Sequence, residues 1–164
     1  MGVTRSRPCV LRIALALVLV CLIAVPVVAK DSEKKLLEKL ARESNPVKKA
    51  KLEIRLARLK LLQSVDAREN DDFEGCLSLL GDYRDRIDSA WDILKSTGRD
   101  AHKKPGGFKQ LEIEIREDSR YLEDLRRSFS VMDREPVDKI IQDVEGIRAE
   151  VIKALFPTMA RPNP

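Results

Sequence analysis

The chain has 164 residues, with 31 Lys and Arg against 27 Asp and Glu, one His, three Cys and seven aromatic residues. Its length suits one domain after processing. So few His and Cys exclude a zinc site, which takes about four Cys or His when structural and about three His or carboxylate ligands when catalytic. So few aromatics leave little surface for stacking carbohydrate or single-stranded nucleic acid.

The N-terminal stretch differs in kind from the rest. Arg5, Arg7 and Arg12 form a positive n-region, and Ile13 to Ala29 is apolar and uncharged. Val27 and Ala29 place small residues at −3 and −1 of a cut before Lys30, and Pro26 interrupts the apolar run just upstream. This is the layout of a signal peptide over residues 1–29, cleaved on export to the periplasm or the medium. The alternative is an uncleaved anchor over residues 13–29, at the lower edge of what spans a bilayer; a membrane partner is expected only in that case. Export also changes the charge, because residues 30–164 carry 28 Lys and Arg against 27 Asp and Glu, a net of +1. Balanced charge gives no basic footprint for nucleic acid, so none is expected as a partner. Cys9 and Cys21 leave with the signal, and Cys76 stands alone. It is then either buried or paired with another chain.

Beyond residue 30 the apolar residues recur at helical spacing, with no strand-like alternation. A short helix is expected over Asp31 to Glu43, with Leu36, Leu37 and Leu40 on one side. Asn45 caps a second helix and Pro46 takes its first position; it runs to about Arg68 with two apolar stripes. Asp71 and Glu74 make a capping box for a third helix, from about Asp72 to Thr97, and Gly98 ends it. A loop over residues 98–107 follows. A fourth helix carries Phe108, Leu111, Ile115, Leu122, Leu125, Phe129 and Met132 on one face, and a fifth carries Val137 to Leu155. The fold class read from this pattern is all-α: an antiparallel bundle of four long helices plus a short N-terminal helix. The domain reading is a short helix over residues 30–45, the bundle over 46–157 and a disordered tail over 158–164. No long internal repeat is visible.

Asp71 to Leu77, D-D-F-E-G-C-L, resembles the turn of a tetratricopeptide repeat. Ser64 and Cys76 fall where that family packs two small residues across its hairpin, and Leu80 at its next large apolar position. The resemblance covers about residues 60–88. Lys60 stands where the family prefers Trp, no proline closes the unit and the third helix runs long. Since repeat arrays need about three units, the resemblance implies one such hairpin at the centre of the bundle. The remainder is similar in pattern to exported bacterial all-helical proteins.

No phosphate-loop, dinucleotide or nucleophile-elbow motif occurs, and His102 and Cys76 fall at opposite ends of a long helix. Neither a catalytic residue nor a metal site nor a cofactor is expected. Arg84 and Asp118 interrupt the apolar stripes of the third and fourth helices at matching heights, which predicts an interhelical Arg84–Asp118 ion pair that fixes register. Arg99, His102, Lys103, Lys104 and Lys109 surround Pro105-Gly106-Gly107 ahead of a helix N-terminus, where free N–H groups favour an anion. The leading expectation is an exported, non-enzymatic module for an unknown protein partner, near the envelope. The alternative is a small-anion or solute-binding bundle that uses the 98–107 loop.

Overall fold

A computed structural model describes residues 25–157. The expected signal peptide or anchor, apart from residues 25–29, and the expected tail lie outside those residues. Five α-helices are described: α1 (Val25–Arg42), α2 (Pro46–Glu69), α3 (Phe73–Ser96), α4 (Gly106–Ser128) and α5 (Glu135–Leu155), with a short 3-10 turn over Val131–Asp133. No described residue lies in a strand, and no described helix is long and apolar enough to cross a membrane. The chain divides into two compact units, residues 1–35 and 36–164; the second is the helical bundle described here.

Local chemistry explains the helix ends. Asn45 Oδ1 accepts from the N–H groups of Val47 (3.0 Å) and Lys48 (3.2 Å), and Pro46 fills the first helical position, where its missing N–H costs nothing. Gly98, at φ +60°, closes α3 in the left-handed conformation. At the start of α3 the cap falls one residue later than the sequence predicts. Asp72 accepts from Gly75 N–H at 2.9 Å, while Asp71 takes the turn itself at φ +58°. An α4 running on through Met132 is also not found. Phe129 is extended, and Met132 sits in the 3-10 turn.

The core is built from one stripe per helix: Ala50, Ile54, Ala57, Leu61 and Ser64 on α2; Cys76, Leu80, Tyr83, Ile87 and Leu94 on α3; Leu111, Ile115, Leu122 and Leu125 on α4; Val137, Val144 and Val151 on α5. Phe73 and Phe156, at the ends of α3 and α5, are 43% and 47% exposed.

Polar pairs between helices record their alignment. Glu53 meets Arg86 at 3.0 Å and Lys60 meets Asp82 at 3.3 Å, so α2 and α3 form a hairpin. Glu112 meets Arg148 at 3.4 Å and Ser119 donates to Glu145 at 3.0 Å, so α4 and α5 form another. Between α2 and α4, Val47 packs at Gly107, Arg58 bonds Asp118 and Arg68 bonds the Ser128 carbonyl; each partner lies 60 residues further on. Between α3 and α5, Arg84 meets Asp143 at 3.5 Å and Trp91 Nε1 donates to Glu150 at 2.7 Å, each 59 further on. A constant offset means that α4 runs alongside α2 in the same direction, and α5 alongside α3. The second hairpin is stacked on the first in step.

The cap at Asp72 is directly testable. Asp72→Ala is expected to cost about 1 kcal/mol in urea unfolding. Asp71→Gly, which relieves a non-glycine left-handed residue, is expected to be neutral or slightly stabilising.

Candidate functional site

Asp118 lies inside the bundle, fully buried, and its partner is Arg58 rather than Arg84. The predicted Arg84–Asp118 pair is therefore corrected. The interior position between Leu80 and Ile87 on α3 is taken by Tyr83, which turns Arg84 outward to Asp85 (2.7 Å) and Asp143 (3.5 Å). The helix lying alongside α4 is α2, and it supplies Arg58. The Arg58 guanidinium also sits 4.6 Å over the Tyr121 ring. Asp118 Oδ2 and the Tyr83 hydroxyl are both buried without a hydrogen bond of good geometry. Burial pushes the Asp118 carboxyl up to about 6 against the pull of Arg58, and burial beside Asp118 raises the Tyr83 hydroxyl. With no exposed surface, Asp118 cannot meet a solute, so this buried node serves the structure.

Cys76 is buried, and burial raises its thiol to about 11, which keeps it protonated and unreactive at neutral pH. Among the described residues no cluster of His, Cys, Asp or Glu is placed to hold a metal ion.

Arg99, His102, Lys103, Lys104 and Lys109 are all exposed. The loop carries its own anion at its centre: Asp100 Oδ1 accepts from the backbone N–H groups of His102 (2.9 Å) and Lys103 (3.2 Å), and the Lys103 side chain approaches the same carboxylate at 3.7 Å. Those two bonds, the Lys103 one foremost, hold the Asp100 carboxyl below its usual range. His102 Nδ1 lies 3.0 Å from the Leu155 carbonyl and ties the loop to the end of α5. Gly107 is buried, and a Cβ there would stand 2.6 Å from Leu94 Cδ2. The start of α4 is thus packed into the bundle.

A different basic site emerges in the crook between α1 and α2. Lys39, Arg42, Lys48, Lys51 and Arg55 line a cleft of about 370 Å³ with Leu52 and Glu43. Lys48, Lys51, Leu52 and Arg55 share one face of α2 at i, i+3, i+4 and i+7. None of the five cations has an ion-pair partner among the described residues. The one carboxylate, Glu43, accepts from Asn45 N–H at 2.9 Å. Sequence reasoning missed this cleft because it weighed net charge alone. Residues 34–60 hold 10 Lys and Arg against 3 Asp and Glu, whereas residues 61–164 hold 17 against 22. Local charge was the signal.

The other end of α2 is apolar and acidic. Phe73 and Phe129 pack edge to face at 5.7 Å, and the Arg68 guanidinium lies 4.3 Å over Phe73. Val131 and Met132 are 79% and 91% exposed. A cleft of about 310 Å³ lined by Val65, Arg68, Tyr121, Leu125 and neighbours opens between the ends of α2 and α4. Asp66, Glu69, Asp71, Asp72 and Glu74 cluster in the same sequence around the turn.

No family model matches the chain, and neither does any curated protein or solved structure.

The buried node makes a pH prediction. A carboxyl whose folded-state pKa lies above its unfolded value favours folding most when protonated. Its contribution is complete below about pH 4 and is lost as pH rises through about 6. Asp118→Asn should therefore gain on the parent chain by about 3 kcal/mol between about pH 4 and pH 7 in denaturant titrations. Parallel stability curves would contradict the assignment.

Proposed function

We propose that the chain is an exported, non-enzymatic helical module that binds another protein. The observation that carries this reading is the exposure of Val131 and Met132, three and four residues beyond Ser128 of the 310 Å³ cleft, together with the half-exposed Phe73 packed on Phe129. Large apolar side chains at 79% and 91% exposure have no role in the fold of a single copy, and clustered surface apolar groups mark interaction sites. The acidic residues of the 66–74 turn suit a partner segment that is both apolar and basic. Each hairpin is antiparallel within itself and the two stack in parallel, and the first, over about residues 60–88, is tetratricopeptide-like. Leu36, Leu37 and Leu40 of α1, half-buried to exposed, offer a second apolar surface near the other end of α2. A buried Asp118 and a protonated, buried Cys76 fit a module without a reaction centre. Export by residues 1–29 would carry the module to the periplasm or the medium, and anchoring by residues 13–29 would hold it at the membrane.

Capture from the envelope of the exporting cell tests this reading, with the chain compared against the double variant Val131→Asp, Met132→Asp. Both residues are exposed, so helix content and melting should hold. The reading predicts one stoichiometric protein partner that the variant loses tenfold or more. Equal capture by both chains, or capture of no protein, would contradict it.

A further inference from the structure

The basic crook between α1 and α2 carries a second assignment, independent of the apolar tip. Five cations face one cleft of about 370 Å³, each beside like charges and none neutralised by an acidic side chain among the described residues. Such clustering repels itself and weakens the fold unless an anion joins it. The cations are mixed Lys and Arg, whose N–H groups suit phosphate oxygens, and Leu52 adds an apolar wall. A long polyanion is a poor fit, because residues 61–164 carry five more acidic than basic residues and would repel it. A single phosphate group is a good fit. In the sequence, Lys34 and Lys35 stand between the apolar stretch at residues 13–29 and the cleft residues. The acidic turn of residues 66–74 lies at the far end of α2, so an anionic surface would draw the basic end toward itself.

We infer that the cleft lined by Lys39, Arg42, Lys48, Lys51 and Arg55 binds a phosphate-bearing anion. The group is presented either by an anionic phospholipid headgroup or by a free phosphate compound.

The test uses the full chain and two variants of equal charge: Lys51→Gln, Arg55→Gln in the cleft and Lys103→Gln, Lys104→Gln in the exposed loop. All four residues are exposed, and matched melting curves confirm folding. Flotation with phosphatidylglycerol-containing vesicles is compared with phosphatidylcholine vesicles, and inorganic pyrophosphate is titrated by calorimetry. Because every chain keeps residues 13–29, any difference between variants reports the cleft. A lipid source predicts preference for the anionic vesicles, weakened about thirtyfold by the cleft variant and little changed by the loop variant. A free-phosphate source predicts pyrophosphate binding with the same dependence on the cleft and no vesicle preference. Equal losses in both variants, or no binding in either arm, would overturn the assignment.

Discussion

The bundle is organised around the hydrogen-bonded ion pair between Arg58 and Asp118, set midway along α2 and α4. A buried pair of this kind adds little net stability, because desolvation offsets most of the attraction. Its effect is on alternatives. Sliding one helix by a single residue turns a side chain by about 100° and shifts it by about 1.5 Å. Asp118 would then be charged and buried with no partner, a state that costs several kcal/mol. Tyr83 closes the node from α3, and Tyr121 packs beneath the guanidinium.

With that pair in place, the remaining α2–α4 contacts follow at the same spacing: Val47 at Gly107 toward one end and Arg68 on Ser128 at the other. The start of α4 at Gly107 is therefore held at the N-terminal end of α2, against Val47. The aromatic and acidic turn is held at the opposite end, about 36 Å away along a 24-residue helix. Basic side chains thus gather toward the N-terminal end of α2 and acidic ones toward its C-terminal end.

Much of this fold was legible in the residues. Helical periodicity, Asn45 with Pro46, and Gly98 each act within a turn or two, and their chemistry needs no tertiary context. What escaped depended on which helix lies next to which. The stripe through Leu80 and Ile87 can pass through residue 83 or 84, and only packing shows that Tyr83 enters and Arg84 leaves. Asp118 stands out in the sequence as a charge on an apolar face, yet its partner comes from α2 alongside rather than from the preceding α3. Phe73 and Met132 continue a helical pattern to its end, where the bundle no longer covers it. The basic crook was hidden by a net charge near zero, which averages the basic residues 34–60 against an acidic remainder. The stacking of the two hairpins left a faint trace, Leu52-Glu53-Ile54-Arg55-Leu56 against Leu111-Glu112-Ile113-Glu114-Ile115, too short to read as a repeat.

The most direct test of this organisation is a double-mutant cycle on the central pair, Arg58→Met and Asp118→Leu, followed by urea unfolding at pH 7. If the pair sets the alignment of the two hairpins, Asp118→Leu leaves a partly buried cation unpaired and Arg58→Met leaves a buried carboxylate unpaired, each costing about 3–5 kcal/mol, while the double variant recovers most of that loss. Additive losses, with the double variant as unstable as the two changes summed, would contradict the account.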